Sequence, residues 1–380
     1  MTSRIPLVDL SGASESGERR KKVVETIRQA CEDTGFLVVT GHGVSDEVIK
    51  GIETSSREFF SLPHEEKIRY IGGTGVYRGF TPIQTSTLAL SRDIATPPDL
   101  CEAFSINRFD DREIALQSGL QEGREDFFAP NIWPERPEGF KYAFEAYYGV
   151  MENLATRLMR LMALALNLEE YWFDDKIRDH ITSLTVNYYP ELEQPAVKGQ
   201  FRRSEHTDWG SLSILFHDGE PGLQIESADG EWEDIPLVSD AFVINLGDLM
   251  ASWTNDHWKS TYHRVVAPEG NSGDRLSIVF FHQPSYDTLI ECIPTCTSPT
   301  DPPHYAPITS GEWILSMLEK TTSDMEGHYL YAPRRALPKL KPGRFTGWRI
   351  AHGSRSGGGS QKADRGLARC RNNLAPPVDP

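Results

Sequence analysis

Seven short stretches between residues 183 and 281 constrain this chain more than any other feature. They are 183–189, 211–216, 222–226, 231–235, 241–245, 261–266 and 275–281, each rich in β-branched or aromatic residues and separated by turn-forming residues. Strands so short and so evenly spaced point to an antiparallel sandwich or barrel, where neighbouring strands satisfy one another's backbone groups. The chain ahead of them has a different texture. Ile5-Pro6-Leu7-Val8-Asp9-Leu10 reads as an opening strand, Val23 and Ile27 recur at helical spacing, and Gly35 to Thr40 reads as a buried strand, giving a βαβ-like start. Ser45 is placed to cap a helix with Asp46 and Glu47 in its first turn, a buried face of Val48, Ile52 and Phe59, and a stop at Pro63. Residues 72–98 read as loops carrying an Arg78-Gly79-Phe80 turn. Apolar residues then keep helical spacing from Phe140 to Leu168, a stripe that marks core packing, and Trp313, Ile314 and Leu318 suggest a closing helix after Ser310.

The expected class is mainly β with flanking helices, and no internal repeat is present. Residues 1–178 form an N-terminal helical α+β region packed on a barrel, and residues 179–320 form the core. Residues 341–380 form a basic tail, with eight Lys or Arg against two Asp and a Gly/Ser-rich stretch, and are expected to be flexible.

A net charge of -16 argues against nucleic acid or an anionic membrane as the partner, since both require clustered cations. Small molecules are the expected partners, and the sequence does not address oligomeric state. No apolar run reaches membrane-spanning length and the N-terminus lacks a signal-like apolar segment, so a cytoplasmic protein is expected. Five cysteines without CxxC spacing are expected to be plain thiols.

The chemistry begins at Ser204-Glu205-His206-Thr207-Asp208-Trp209-Gly210. Side chains at i and i+2 of a strand share a face, so His206 and Asp208 can converge on one ion. His263 sits on another expected strand that a barrel can bring opposite. Two imidazoles and one carboxylate on one face of an ion leave positions open, which suits non-haem Fe(II) working with O2. Zinc is the rival, although nothing here resembles a helical HExxH site. Arg275 and Ser277 form a second i, i+2 pair, a guanidinium beside a hydroxyl, suited to gripping a carboxylate. Asn187 and Tyr189 likewise share a face.

In order along the chain, these motifs and several others resemble the 2-oxoglutarate/Fe(II) dioxygenases of the isopenicillin N synthase-like superfamily. The set comprises Ile5-Pro6-Leu7-Val8-Asp9-Leu10, Gly35-Phe36, Gly41-His42-Gly43-Val44, Asn187-Tyr188-Tyr189-Pro190 and His206-Thr207-Asp208. It continues with Gly222-Leu223-Gln224, Asn245-Leu246-Gly247-Asp248, His263-Arg264-Val265 and Arg275-Leu276-Ser277. The resemblance covers roughly residues 4–320 and implies a double-stranded β-helix, or jelly-roll, barrel. It also implies that His206, Asp208 and His263 ligate Fe(II), and that Arg275, Ser277 and Tyr189 hold the distal carboxylate of 2-oxoglutarate, with Asn187 near its metal-binding end. The physical reading agrees. Fe(II) with two neutral imidazoles and one carboxylate keeps a single net positive charge, which the near carboxylate of the cosubstrate neutralises, and the far carboxylate then needs its own cation.

The implied reaction consumes O2, converts 2-oxoglutarate to succinate and CO2, and oxidises a small organic substrate, by default through hydroxylation. A setting in specialised-metabolite biosynthesis follows from the habits of the superfamily. The barrel strands look most like the thymine-hydroxylase-like branch, which does not make thymine the substrate. One alternative is a 2-oxoglutarate-independent oxidase of the isopenicillin N synthase type, in which Arg275 and Ser277 would hold a substrate carboxylate. A second alternative is a non-catalytic binding protein on the same barrel. Candidate substrate-pocket residues are Arg78, Phe80, Phe104, Ile106, Phe201 and Phe281, with a structural turn role the simpler reading for Arg78. Asp248 is expected in a tight turn between strands, and His42, His217 and His257 are not expected to be ligands.

Overall fold

Strand pairing in the computed structural model gathers the short strands into two main sheets. The structure describes residues 5–322 apart from 15–16, 73–76, 93, 111–112, 114–116, 118–119, 121–123, 193 and 269–272, so the 341–380 tail lies outside the described residues. In chain order the strands are β1 (Leu7–Asp9), β2 (Phe36–Thr40), β3 (Gly79–Thr81), β4 (Glu102–Asn107), β5 (Ser183–Tyr189), β6 (Arg203–His206) and β7 (Leu212–His217). They continue with β8 (Leu223–Glu226), β9 (Trp232–Asp234), β10 (Phe242–Leu246), β11 (His263–Val265), β12 (Arg275–His282), β13 (Leu289–Ile290) and β14 (Ile308–Thr309). The helices are α1 (Glu18–Asp33), α2 (Asp46–Phe60), α3 (His64–Lys67), α4 (Glu125–Phe128), α5 (Phe140–Ala165), α6 (Asp248–Trp253) and α7 (Ser310–Thr322).

The larger sheet has eight strands in the order β1-β2-β10-β7-β12-β5-β4-β3, and the smaller has four in the order β6-β11-β8-β9. Strands from the first hundred or so residues form both edges of the larger sheet. The N-terminal segment is thus hydrogen-bonded into the barrel as well as packed on it.

Register decides which side chains face the barrel interior. Arg275 stands opposite Tyr189 and Ser277 opposite Asn187, while Ala103, Ser105 and Asn107 of β4 stand opposite Asn187, Thr185 and Ser183. All of these except Arg275 line one cavity. The other parity faces the helices. Phe104 is fully buried among Phe59, Phe140 and Phe144 of α2 and α5, with ring centroids 5.0, 4.9 and 5.7 Å away, and Phe80 and Ile106 join the same core. Strand alternation therefore takes these three candidates away from the pocket.

Helix ends follow local chemistry. The Ser45 hydroxyl accepts the Val48 N–H at 3.4 Å to cap α2, whose buried face uses Ile49 where Val48 was expected. The long helix α5 stops before Leu168 because Asn167 turns left-handed, at φ 57°, and the Leu168 N–H folds back to the Ala163 carbonyl at 2.9 Å. Arg78-Gly79-Phe80 leads into β3 where a turn was expected, and Asp248 opens α6 where a strand-to-strand turn was expected. No helix among the described residues is long and apolar enough to cross a membrane.

Gly35 joins these layers. It lies at φ +69°, its carbonyl accepts the Leu246 N–H at 3.0 Å, and a Cβ there would stand 2.0 Å from the Lys259 carbonyl oxygen. Gly35→Ala is expected to lower unfolding stability by at least about 2 kcal/mol, combining left-handed strain with a backbone clash. An unchanged urea midpoint would show that the 259 loop moves aside freely.

Candidate active site

The smaller sheet supplies two imidazoles. His206 ends β6 and pairs directly with His263 of antiparallel β11, bringing the ring centroids to 4.3 Å. Each ring is fixed through Nδ1, which lies 2.7 Å from the Ser204 carbonyl for His206 and 3.2 Å from the Thr261 carbonyl for His263. A carbonyl only accepts, so Nδ1 carries the proton and Nε2 is left with its lone pair.

The carboxylate arrives by a different route from the one expected. Asp208 lies in the loop beyond β6, and that loop is held against the start of α6 by Asp248 N–H donating to the Asp208 carbonyl at 2.8 Å and Leu249 N–H donating to the Gly210 carbonyl at 3.2 Å. Gly247 permits this approach, since a Cβ there would meet the Gly210 carbonyl oxygen at 2.4 Å. The larger sheet then orients the carboxylate. Ser213 Oγ of β7 and Asn245 Nδ2 of β10 both donate to Asp208 Oδ2, at 2.5 and 2.6 Å. Oδ1 is turned towards the two Nε2 atoms, at 3.8 Å from His206 and 3.6 Å from His263.

All three side chains are buried, and their ligand atoms lie within 4.8 Å of one another. Burial and the neighbouring His263 push the His206 pKa down to about 3, which keeps that ring neutral. Burial alone would raise the Asp208 carboxyl. The two imidazoles and the bonds from Ser213 and Asn245 outweigh it, and the pKa is lowered. Lone pairs converging in a buried space repel unless a cation sits among them, and two nitrogens with one oxygen match the facial donor set of non-haem Fe(II). Among the described residues, no other group of three His, Cys, Asp or Glu converges in this way. Asp248 accepts from the hydroxyls of Thr207 in that loop and of Ser260 ahead of β11, and burial pushes its pKa up to about 7.

The triad lines a cavity of about 310 Å³ between the sheets. Along β12 the inward row runs Arg275, Ser277, Val279, Phe281, and from Ser277 onward it lines the cavity wall. At about 3.3 Å per residue this row spans ~20 Å. At its inner end Arg275 is 1% exposed, its guanidinium lies 5.1 Å from the Tyr189 ring, and Nε donates to the Glu220 carbonyl at 3.3 Å. Its Nη1 is buried without a hydrogen-bond partner. A buried guanidinium with an unused donor is suited to a carboxylate ligand. Ser277, Asn187 and Tyr189 line the cavity beside it.

At the outer end the cavity is walled by Phe281, Phe127 and Arg78, and by Ile314 and Leu318 of α7. Arg78 is buried and donates to the Phe127 carbonyl, which also anchors Asn107. Phe201 lies outside the lining, stacked under the Arg264 guanidinium at 5.3 Å. His42 and His257 lie elsewhere. His42 accepts the Val44 N–H within its own loop, and His257 meets Asp301 on the surface. His217 is on β7 opposite Ser277, where its Nδ1 accepts the Gly219 N–H. Cys31, Cys101, Cys292 and Cys296 are free thiols, and Cys370 lies outside the described residues. Sequence reasoning missed Ser213, which carried no spacing signal, and Arg203 with its partner Asp99.

Residues 5–136 match the family described as the non-haem dioxygenase in morphine synthesis N-terminal region, and residues 181–284 match the 2OG-Fe(II) oxygenase superfamily. The 2-oxoglutarate-dependent dioxygenase citB of Monascus ruber is 33% identical over 295 residues, covering 74% of this chain and 85% of the relative. This chain belongs to the 2OG-Fe(II) oxygenase superfamily. Clavatol oxidase claD of Penicillium crustosum is 31% identical to this oxygenase over 305 residues, covering 76% of this chain and 88% of that one. A full-length Neurospora crassa protein crystallised with alpha-ketoglutarate and thymine is 28% identical, with a TM-score of 0.71 over 83% of this chain and 96% of that one. The fold is the double-stranded β-helix of these oxygenases, and the enzyme is a 2-oxoglutarate-dependent dioxygenase that uses Fe(II) and O2.

Asn245→Ala should free the Asp208 carboxylate and weaken Fe(II) or Co(II) binding roughly 10- to 100-fold, the usual cost of losing a group that orients a metal ligand. Metal titration checks this, and unchanged affinity would mean that Ser213 orients Asp208 alone.

Proposed function

We propose that this dioxygenase oxidises a small, largely apolar organic molecule, most simply by hydroxylation, with His206, Asp208 and His263 holding Fe(II). Arg275, Ser277 and Tyr189 take the distal carboxylate of 2-oxoglutarate, and Asn187 lies beside its metal-binding end. The observation that carries the reading is the single cavity reaching from the triad to the Tyr189 and Ser277 walls on one side and to Phe281 and α7 on the other. Cosubstrate and substrate thus approach the metal from opposite ends. Bound Fe(II) supplies the redox chemistry that couples O2 and 2-oxoglutarate to oxidation of the substrate.

The protein residues do the rest. Arg275 fixes the inner end of the cosubstrate by charge, the buried walls exclude water, and Ile314, Leu318 and Phe281 present apolar surface to the substrate. A role in specialised metabolism is supported by relatives such as clavatol oxidase, whose name points to a small-molecule substrate. The same relatives favour the cosubstrate user over an oxidase that needs no 2-oxoglutarate, because citB is named as 2-oxoglutarate-dependent.

The test is succinate formation by anaerobically Fe(II)-loaded protein given O2 and 2-oxoglutarate, against a panel of small metabolites. Stimulation by a panel member is expected. Failure to bind 2-oxoglutarate at all would move the assignment to the cosubstrate-independent oxidase. Two variants probe the roles. His206→Ala should abolish metal binding and turnover, and retained turnover would overturn the triad. Arg275→Lys keeps charge but loses the planar fork, so 2-oxoglutarate affinity should fall by ~1.5 to 3 kcal/mol. An unchanged Kd would remove Arg275 from the cosubstrate site.

A further inference from the structure

A largely buried arginine, Arg203, lines the cavity beside the cosubstrate wall. Arg203 opens β6 three residues before His206, yet its guanidinium reaches across to β5 of the other sheet. Nη2 donates to Asn187 Oδ1 and Nη1 lies 3.4 Å from Ser86 Oγ. Nη1 also lies 3.6 Å from Asp99 Oδ2. Asp99 is fully buried and strapped in place, its carboxylate accepting the Ser204 N–H at 3.0 Å and the Leu88 N–H at 3.4 Å. The charge of Arg203 is therefore matched within the protein, unlike that of Arg275, which has no carboxylate partner among the described residues.

The consequence lies in hydrogen-bond polarity. Arginine can only donate. An asparagine offers both a donor and an acceptor, and could meet a ligand with either. With Asn187 Oδ1 accepting from Arg203, the amide is held with its Nδ2–H group turned away from the arginine. Asn187 lines the cavity. We propose that Arg203, held by Asp99, is a positioning residue that commits Asn187 to present its donor, so that this wall of the cavity accepts carboxylate and keto oxygens and disfavours ligands that must donate. The inference rests on the cosubstrate reading above and adds to it a selectivity device that the Arg275/Ser277 pair alone does not supply.

The test uses calorimetric binding of 2-oxoglutarate to the full chain, loaded with Co(II) as a redox-silent metal. Arg203→Met should weaken binding at least tenfold. In a background carrying Asn187→Ala, where the group it positions is gone, the same substitution should add less than twofold. An equal loss in both backgrounds would mean that Arg203 acts by direct charge or by general damage, and would overturn the proposal. No loss in the otherwise unsubstituted chain would overturn it as well.

Arg203→Met leaves Asp99 buried without its partner, so Asp99→Asn/Arg203→Met is measured alongside to remove that burden from the fold, with the same loss expected. Selectivity provides a second readout. The monoamide of 2-oxoglutarate at the carboxyl next to its keto group should bind far more weakly than 2-oxoglutarate itself, and this ratio should shrink severalfold in Arg203→Met. An unchanged ratio would assign the discrimination wholly to the metal and overturn the proposal. If the unsubstituted metal-loaded chain binds no 2-oxoglutarate, the cosubstrate reading itself falls and takes the inference with it. Binding there with no dependence on Arg203 defeats the inference alone.

Discussion

Three lone pairs pointed at one another in a buried space are unfavourable without a cation among them, and much of this barrel serves to hold that arrangement. The imidazoles come from the smaller sheet, whereas the groups that turn the Asp208 carboxylate towards them, Ser213 and Asn245, come from the larger one. The larger sheet therefore reaches the metal site through hydrogen bonds to Asp208. Metal affinity and the fit between sheets are coupled, because whatever separates the sheets also releases the carboxylate from the groups that orient it. Gly247 makes this possible by letting the Asp208 loop rest on the start of α6.

Arg203, in the cavity wall, and Arg275, at its edge, differ in how their charge is handled. Arg203 has Asp99 and behaves as part of the scaffold, while Arg275 keeps an unused donor and no carboxylate neighbour among the described residues. A buried ion pair contributes little net stability but a great deal of geometry, whereas a lone buried charge calls for a ligand of opposite sign. Together they give this end of the cavity both rigidity and appetite for an anion.

Much of this could be read in the residues themselves. The His206/Asp208 pair, His263, the Arg275/Ser277 pair and the Asn187/Tyr189 pair all rest on i, i+2 spacing or on their order along the chain, and the structure places all seven around one end of the cavity or at its edge. What escaped was parity on β4 and the long-range partners. Phe104 and Ile106 are large apolar members of that strand and so looked like pocket walls, but the cavity face of β4 is Ala103, Ser105 and Asn107, and its large apolar side chains pack on the helices. The register of β4 against β5, with Ala103 opposite Asn187, would have corrected this, and register is a tertiary fact. Arg203 was invisible for a related reason: an arginine three residues from a ligand gives no hint that it crosses to Asn187. The short helix at Asp248 was hidden because Gly247-Asp248 has the composition of a turn.

The alternating row on β12 has a consequence for how such enzymes diverge. On the reading proposed above, its inner rungs, Arg275 and Ser277, would face the cosubstrate that drives the oxidation, and its outer rung, Phe281, would face the molecule that is oxidised. Because successive rungs stand on one rigid strand but do not share contacts with the same ligand, the outer ones can drift under selection while the inner ones stay put. A lineage can then acquire new substrates by changing side chains a few residues further along the same strand, without reopening the chemistry at its other end.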